Sequence, residues 1–398
     1  MANKPKIRFK GFDDAWEQRK LGDVAEFSKG SGYSKGDLVE YGTPIILYGR
    51  LYTNYETRIS DIDTFVDAKV GSVYSKGGEV IVPASGETAE DIARAATVDK
   101  SGILLGGDLN IVMPNKDINS SFLTISISSG NPQRELAKKA QGKSVVHIHN
   151  EEIKNLVLPF PIKDEQNKIA SYFCQLDNLI TLHQRKCDQM KELKKYMLKK
   201  MFPQNGAKVP EIRFDGFTDD WEQRKLGDVV TFINGRAYSQ EELLSNGKYK
   251  VLRVGNFYTN DSWYYSDMEL EAKYYAKEGD LLYTWSATFG PHIWHGDKVI
   301  YHYHIWKVEL SDALEKHFAV QLLEKDKQSI LSDKNGSTMV HITKAGMESK
   351  EVMLPPNIRE QTKIGECFQN LDNLITLHQH KCNELREIKK YMLKNMFI

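Results

Sequence analysis

The sequence predicts a mixed α/β (α+β) protein in which two globular domains are joined by two long helices. We expect these helices to form an antiparallel coiled coil, which gives the molecule a pseudo-two-fold arrangement. Three observations lead to this prediction. The chain is internally duplicated, the repeated tails have heptad spacing, and the stretches between the repeats contain short strand patterns bounded by glycine. At 398 residues the chain is also too long for one ordinary core.

Two segments of the sequence occur twice. Residues 7–27 (IRFKGFDDAWEQRKLGDVAEF) return as residues 212–232 (IRFDGFTDDWEQRKLGDVVTF), with 16 of 21 positions identical. Residues 165–202 return as residues 360–397 with 25 of 38 positions identical, and both copies contain LDNLITLHQ. The offsets of 205 and 195 residues are far longer than a solenoid repeat of about 20 to 50 residues. Whole domains are therefore duplicated, while the stretches between the repeats differ in length and sequence.

The repeated tails carry apolar residues at alternating steps of four and three, which is the spacing of a heptad seam. The predicted seam residues are Ile169, Phe173, Leu176 and Ile180 in the first tail, and Ile364, Phe368, Leu371 and Ile375 in the second. The seams continue through His183 and His378, which we interpret as core histidines, and Lys194 and Lys389 interrupt them at the same place.

Prolines mark the predicted starts of both helices, at Pro161 and at Pro355–Pro356. In the second copy, Asn357 followed by Glu360 is typical of a capping box. Each helix is expected to span about 39 residues, or roughly 58 Å at about 1.5 Å per residue. The alternative is that each helix packs only on its own domain.

The stretches between the repeats are predicted to contain more strand than helix. Buried strands are expected at residues 78–82 and 279–283, which are entered through Gly-acid turns, and at residues 45–48 and 251–254. Residues 88–96 and 239–244 are expected to form short helices or loops.

Composition excludes several classes of protein but does not identify a function. The formal net charge is +0 and the pI is about 7.2, so any nucleic-acid-binding face must be balanced by acidic residues elsewhere. There is no apolar leader pattern and no run of the roughly 18 to 20 apolar residues needed for a membrane span. The four cysteines form no Cys-x-x-Cys pair. They indicate a reducing cytoplasm rather than a disulfide framework or a structural zinc site.

Motifs of catalysis are missing from the sequence. There is no phosphate-binding Gly-x-x-x-x-Gly-Lys-Ser/Thr loop, no Gly-x-Ser-x-Gly elbow and no Asp/Asn-Pro-Pro-Tyr/Phe motif of an amino-methyltransferase. His147 and His149, like His302 and His304, stand two apart and would share one face of a strand. A metal needs further ligands that no nearby residue supplies at suitable spacing. We therefore predict no catalytic residue and no metal site, and interpret these histidines as strand surface or nucleic-acid contacts.

The remaining distinctive feature is a set of glycine turns that carry Lys, Arg, Asn, Ser and Tyr. Arginine and asparagine can read guanine and adenine edges, while lysine and tyrosine can fix phosphates. Glycine allows the backbone to approach a phosphate closely. The candidate DNA-binding residues are Lys29, Ser31, Tyr33, Lys35, Arg50, Tyr52, Lys143, Ser144, Arg236, Tyr238, Arg253, Asn256, Tyr258, Ser337 and Thr338. Taken singly, each is better explained as part of an ordinary polar surface loop, and only the whole set suggests DNA binding.

This arrangement resembles the specificity (S) subunit of type I restriction–modification enzymes over nearly the whole chain. The resemblance is carried by IRFKGFDDAWEQRKLGDV and its second copy, and by LPFPIKDEQNKIASYFCQLDNLI with its echo LPPNIREQTKIGECFQNLDNLI. Two variable domains that alternate with two similar long helices add to it. The variable domains show only the general style of the family, so no particular DNA specificity follows.

The resemblance implies a division of the chain and a set of partners. It implies target-recognition domains at residues 1–157 and 211–353, helical regions at residues 158–203 and 354–398, and a linker at residues 204–210. Each recognition domain would read one half of a bipartite target in double-stranded DNA, and the helix pair would set the spacer. Two methyltransferase (M) subunits and two restriction/translocase (R) subunits would complete the complex. S-adenosylmethionine, ATP and Mg would then be bound by those partners and no cofactor by this chain.

Three rival functions remain open at the level of sequence. A stand-alone methyltransferase–nuclease would need the catalytic motifs that are missing. A scaffold that binds only protein through its coiled coil would not retain DNA. A regulator built on the same fold without a partner enzyme is the third rival.

Overall fold

The computed structural model describes residues 4–142, 145–204, 206–258, 260–286, 288–332 and 342–397. Internal contacts divide the chain into two units. The first unit consists of Met1–Arg185 and His378–Ile398, and the second unit consists of Lys186–Leu377. Each unit therefore contains one globular body and a part of both long helices.

The body of the first unit is built on two five-stranded sheets, ordered β2-β12-β8-β10-β5 and β3-β6-β4-β11-β7. The strands are β1 (Glu17–Lys20), β2 (Ala25–Lys29), β3 (Leu38–Val39), β4 (Thr43–Ile46), β5 (Arg58–Ile59), β6 (Phe65–Val66), β7 (Tyr74–Lys76), β8 (Val80–Pro83), β9 (Ser85–Gly86), β10 (Ala96–Val98), β11 (Ser101–Leu105), β12 (Leu109–Pro114), β13 (Val146–His147) and β14 (Val157–Phe160). The helices are α1 (Arg50–Thr53), α2 (Ala89–Ile92), α3 (Ser120–Ile127), α4 (Gly130–Lys139), α5 (Asn150–Lys154) and the long α6 (Lys163–Lys200).

The body of the second unit is built on two four-stranded sheets, ordered β16-β23-β20-β21 and β18-β17-β22-β19. The strands are β15 (Glu222–Lys225), β16 (Val230–Asn234), β17 (Tyr249–Leu252), β18 (Tyr264–Ser266), β19 (Tyr275–Ala276), β20 (Leu281–Thr284), β21 (Gly290–Ile293), β22 (Val299–Tyr301), β23 (Ile305–Leu310) and β24 (Glu351–Leu354). The helices are α7 (Leu226–Val229), α8 (Lys316–Ser332), α9 (Lys344–Glu348) and the long α10 (Ile358–Met396).

The four predicted strands are confirmed as β8, β20, β4 and β17. Gly78 and Gly279 before two of them have φ angles of 89° and 84°, a backbone conformation that only glycine adopts readily. The two segments predicted as short helices or loops contain α2 and a 3₁₀ turn at Gln240–Glu242.

The long helices have the predicted starts and lengths. α6 contains 38 residues and α10 contains 39, and each begins two residues after a proline. No helix among the described residues is long and apolar enough to cross a membrane.

The predicted capping box at the start of α10 is wrong in one half. Asn357 Oδ1 does accept a hydrogen bond from the backbone N–H of Arg359, at 3.0 Å. The carboxylate of Glu360 instead accepts from Arg213, at 2.7 and 2.9 Å, and from the indole N–H of Trp221, at 3.3 Å. A guanidinium forms stronger, charge-assisted bonds to this carboxylate than a backbone N–H does.

The same contact joins the repeated segments in the first unit, and we call the two contacts the Arg–Glu clamps. Arg8 donates to both carboxylate oxygens of Glu165, at 2.6 and 2.7 Å. Glu165 and Glu360 are 0% and 1% exposed. Each clamp ties the domain entry to the first turn of a long helix, and this explains why IRF and EQ both recur in the sequence.

The two long helices run antiparallel to each other, as predicted. Lys194 near the end of α6 contacts Asp372 near the start of α10, with Nζ–Oδ distances of 2.7 and 2.9 Å. In the first unit, Lys389 near the end of α10 contacts Asp177 near the start of α6, at 2.5 Å. Only antiparallel helices can form both pairs. The lysines that interrupt the heptad seams are therefore the partners of the aspartates in LDNLI.

The middle of the seam forms direct contacts between the helices. The Nδ1 atoms of His183 and His378 lie 2.9 Å apart, so one ring donates and the other accepts. Next to them, the Sγ atom of Cys382 donates to the carbonyl oxygen of Ile180 at 3.7 Å. The two histidines are partners of each other in the helix interface, which agrees with their interpretation as core histidines.

The predicted seam residues at the helix starts pack against the bodies as well as against the other helix. Ile169, Phe173 and Leu176 lie in one core cluster with Phe397 from the end of α10 and with Trp16 of the body. In the second unit, Ile364 and Phe368 lie with residues from the end of α6, and Leu371 packs at the edge of the same cluster. The helices therefore pack on each other as well as on the bodies, and the alternative in which each helix packs only on its own domain is wrong. Ile180 and Ile375 are half-buried nearer the helix centres.

Candidate nucleic-acid interface

Four loops of the second unit converge at one end of its sheets. They follow β16, β17 and β20 and connect β22 to β23. Arg236 forms a β-bridge with His302, and the Tyr238 and His302 rings are stacked with centroids 6.4 Å apart. Tyr258 donates or accepts a hydrogen bond with His292 Nε2 at 3.2 Å. The described candidates Arg236, Tyr238 and Tyr258 thus each contact a histidine, either in β21 or in the turn after β22.

The equivalent loops of the first unit converge through the same backbone hydrogen bonds. In the first unit the backbone N–H groups of Gly30, Ser31 and Gly106 donate to the carbonyl oxygens of Leu109, Leu105 and Ile46, respectively. In the second unit the N–H groups of Gly235, Arg236 and His302 donate in the same order to the carbonyl oxygens of Ile305, Tyr301 and Leu252. The two loop ends therefore share one backbone frame, although their sequences differ.

The glycines in this frame are required by packing of the fold. A Cβ atom added to Gly30 would overlap the carbonyl oxygen of Gly106, and one added to Gly235 would overlap that of His302. Close approach to a phosphate is therefore not needed to explain Gly30 and Gly235. Any side chain at these positions would clash with the neighbouring backbone. A Cβ atom added to Gly32 or Gly49 would have no heavy atom within 4 Å.

In the first unit, four of the six candidate side chains that the structure describes hold the loops in place. The guanidinium of Arg50 donates to Glu56 at 2.9 Å and to Asp63 at 2.5 Å, and its side chain is only 10% exposed. Tyr52 donates to the carbonyl oxygen of Ser85 at 2.8 Å, and burial raises the pKa of its hydroxyl.

The hydroxyl groups of Ser31 and Tyr33 also form hydrogen bonds with the backbone of neighbouring loops, whereas the side chains of Lys29 and Lys35 are exposed. Ser31 Oγ accepts from Val73 N–H at 3.1 Å, and Tyr33 Oη accepts from Lys69 N–H at 2.7 Å. Lys29 and Lys35 are exposed and have no ion pair within the described part of the chain. These two lysines have the charge and the access needed to contact phosphates.

In the second unit, Arg236 is likewise occupied by an internal partner. It donates two hydrogen bonds to Glu242, at 2.7 and 3.0 Å, and these bonds lower the pKa of that carboxyl to about 2. Asn256 organises its own loop, because its Nδ2 donates to the carbonyl oxygens of Asn260 and Ser262 at 2.9 Å.

Three further candidates of the second unit differ in exposure. The Arg253 guanidinium lies 4.3 Å from the ring centre of Tyr264 and donates to the carbonyl oxygen of Ser262 at 3.1 Å. The Tyr238 hydroxyl is buried without a hydrogen-bond partner among the described residues. Tyr258 is 44% exposed. Lys143, Ser144, Ser337 and Thr338 lie outside the residues that the structure describes.

A cluster of aromatic and histidine side chains was missed among the site residues predicted from sequence. His302 and His304 do not share the face of a strand as expected; they lie in the turn between β22 and β23. Their rings surround Tyr303, with centroid distances of 4.4 and 3.9 Å, and Trp285 lies 5.0 Å from His304. The signal available in the sequence was the run Tyr-His-Tyr-His itself. The described residues hold no group of three or more possible metal ligands.

The chain is similar in sequence to specificity subunits of type I restriction enzymes. A family model described as "Type I restriction modification DNA specificity domain" matches residues 13–192 and again residues 218–387. The chain is 23% identical to the type I restriction enzyme MjaVIII specificity subunit of Methanocaldococcus jannaschii, over 95% of this chain and 91% of the relative. A putative type I restriction enzyme MjaX specificity subunit from the same organism is also 23% identical, over 95% and 92%.

Solved structures agree with this at the level of fold. The crystal structure of a type I restriction–modification system S subunit from M. genitalium matches with a TM-score of 0.70 and 14% identity, over 99% of both chains. A chain from a study of complex assembly and conformational transition in a type I restriction–modification system matches with a TM-score of 0.53 and 15% identity, over 96% of this chain and 97% of that one.

Proposed function

The chain belongs to the type I restriction–modification DNA specificity family, and from this premise we propose that it is the sequence-reading subunit of a type I restriction–modification complex. It is not itself an enzyme. Each recognition domain, residues 1–157 and residues 211–353, reads one half of a bipartite target in double-stranded DNA. The chain thereby directs adenine methylation and DNA cleavage by its partner subunits.

One observation carries this proposal: the two units share a backbone frame but present different side chains on it. The Arg–Glu clamps, the Lys–Asp helix pairs and the loop hydrogen bonds all occur twice. At the loop ends, however, Ser31 is replaced by Arg236 and Gly106 by His302. A shared frame with different surfaces suits a protein that reads two different half-sites in the same way.

The exposed lysines of the loops contribute to DNA affinity in this proposal. Contacts to phosphates fix the register of a protein on the duplex without reading sequence. The exposure of Lys29 and Lys35 supports this role for them in the first unit. The net charge of +0 is compatible with DNA binding, because a basic face can be balanced by acidic residues elsewhere on the chain.

The helix pair sets the spacer between the half-sites in this proposal. Helices of 38 and 39 residues are about 57 to 58 Å long at about 1.5 Å per residue. Two methyltransferase subunits and two restriction/translocase subunits complete the complex. They supply S-adenosylmethionine, ATP and Mg, and the chain binds none of these.

A duplication of the first body tests the assignment of one half-site to each body. Residues 233–350 are replaced by residues 28–156, with joints at equivalent positions, since Leu21 N–H donates to Leu156 O and Leu226 N–H to Lys350 O. The variant is expressed with its methyltransferase partner and the methylated adenines are mapped across a genome. We expect the asymmetric target to become an inverted repeat of the first half-site.

The reciprocal duplication, in which residues 233–350 replace residues 28–156, serves as the matched control and should give an inverted repeat of the second half-site. An unchanged asymmetric target in either variant would contradict the proposal. A wild-type chain that retains no duplex DNA together with its methyltransferase would instead support a protein-only scaffold.

A further inference from the structure

We propose that the turn formed by His302, Tyr303 and His304 is a specificity-determining element that contacts base edges in the second half-site. The inference rests on the proposed function and names a part of the surface that carries it out. It also assigns different contact elements to the two recognition domains, because the equivalent turn of the first unit has no comparable side chains.

The equivalence of the two turns follows from their backbone contacts. Gly106 N–H donates to the carbonyl oxygen of Ile46, and His302 N–H donates to that of Leu252, both at 2.9 Å. Both turns lie between strands of equivalent position, β11 to β12 in the first unit and β22 to β23 in the second. The turn reads Gly106-Gly107-Asp108 in the first unit and His302-Tyr303-His304 in the second.

The rings of His302, Tyr303 and His304 contact one another, and we call this group the aromatic platform. Tyr303 is 39% exposed, and the histidines on either side of it are half-buried. The Trp285 indole N–H donates to the carbonyl oxygen of Tyr303 at 2.9 Å, and this hydrogen bond holds the backbone of the turn in place. Since the backbone frame forms equally well with glycine at two of these three positions, the fold alone does not require the rings.

The platform offers hydrogen-bonding groups rather than charge. Burial, together with His304 and Arg253 nearby, lowers the pKa of His302 to about 4, and burial lowers the pKa of His304. Both rings are therefore neutral near pH 7, and each has one N–H donor and one acceptor nitrogen. His302 Nδ1 accepts from His304 N–H at 3.4 Å, which leaves its ring proton on Nε2.

Neutral donors and acceptors suit base edges better than phosphates. Major-groove edges present patterns of donors and acceptors that such groups can distinguish. Phosphate contacts by cations make affinity depend on salt, whereas neutral contacts do not release counterions. The turn should thus affect the sequence preference of the second half-site and leave the salt dependence of binding unchanged.

The test copies the turn of the first unit into the second without adding a charge. One variant combines His302→Gly, Tyr303→Gly and His304→Asn, and a milder one carries only Tyr303→Ala at the exposed position. Tyr41→Ala, at a tyrosine that is 80% exposed in the first unit, is the control. Each chain, in complex with its methyltransferase partner, selects binders from a random duplex library, which are then sequenced at two salt concentrations.

We expect the triple variant to lose preference in the second half-site by about tenfold or more, the scale of lost base contacts. Tyr303→Ala should relax the same positions to a smaller degree. The first half-site, the spacer, the salt slope and the Tyr41→Ala control should match the wild type. If the wild type selects a bipartite target and both turn variants select it with equal stringency, the inference is wrong and the proposed function stands. If the wild type enriches no bipartite sequence, both fail.

Discussion

At the residue scale, the carboxylates of the two Arg–Glu clamps are almost fully buried, so each needs a positively charged partner to remain stable in the core. Glu360 is 1% exposed, and its charge is compensated by Arg213 and by the Trp221 indole. The hydrogen bonds that Arg213 donates to the Glu360 carboxylate raise the pKa of Arg213 above its ordinary value, so the guanidinium stays charged. A buried charge that loses its partner is costly, because no water replaces the partner.

We predict that Arg213→Ala destabilises the second unit by about 3 kcal/mol or more, because it leaves Glu360 charged and unpaired in the core. The measurement is the free energy of unfolding in urea. Glu384→Ala, which removes an exposed pair with Lys381, is the control and should change that free energy by less than about 0.5 kcal/mol. Equal losses in the two variants would show that the clamp does not stabilise the fold.

At the scale of elements, the helix pair combines apolar packing with pairs of opposite charge. Lys194 and Lys389 would each be unfavourable at a purely apolar seam, but each reaches an aspartate on the other helix. These ion pairs fix the direction and the register of the helices, a role that buried polar residues have in other coiled coils. The His183–His378 contact marks the point at which equivalent residues of the two helices meet.

The spacer prediction belongs to this scale. Four residues are inserted into α6 between His183 and Gln184 and four into α10 between His378 and Gln379, so that the Lys194–Asp372 and Lys389–Asp177 pairs on either side keep their partners. The insertion adds about 6 Å, against about 3.4 Å per base pair. We expect mapped methylation sites with the same half-sites and a spacer longer by about one or two base pairs.

A matched insertion of four residues after Gly206, in the linker, should leave the spacer unchanged because the linker is no part of the helix pair. Methylation at the original spacer length in the helix variant would refute the role of the helices in setting it.

At the scale of the whole molecule, the closely repeated segments include surface residues whose identity the fold does not explain. β1 and β15 both read Glu-Gln-Arg-Lys, although most of these side chains are exposed. Each strand pairs with the strand that leads into a long helix, β14 or β24. We infer that both copies bind the same partner, which fits the expected pair of methyltransferase subunits.

We predict that Gln18→Glu combined with Arg19→Glu reduces the number of bound methyltransferase subunits from two to one, because it reverses charge on one of the two docking strands. Native mass spectrometry of the complex measures this number. The equivalent change at Gln223 and Arg224 should also leave one subunit, and the combination should leave none. Two bound subunits in every variant would place the docking surface elsewhere.

The long helices were predictable from the sequence, because heptad spacing and proline positions are local patterns. Their antiparallel direction was predicted from the internal duplication, since it gives the repeated domains a pseudo-two-fold arrangement. The strands at β8 and β20 were likewise predictable from local patterns. The partner of Glu360 was not, since an isolated Asn-x-x-Glu pattern predicts a capping box and Arg213 lies 147 residues away in the chain. The sequence also did not show that Arg50 and Arg236 form ion pairs within their own loops, whereas Lys29 and Lys35 are exposed.

The sequence by itself therefore determined the architecture and the family, since both reside in repeated local motifs. Tertiary structure decided which side chains are available on the loop surface. Availability depends on partners distant in sequence: Arg50 is neutralised by acids across its loop, and Gly30 is required by a strand far along the chain. The backbone hydrogen bonds of the fold show that the His302-Tyr303-His304 turn is equivalent to Gly106-Gly107-Asp108. No spacing in the sequence predicts this equivalence.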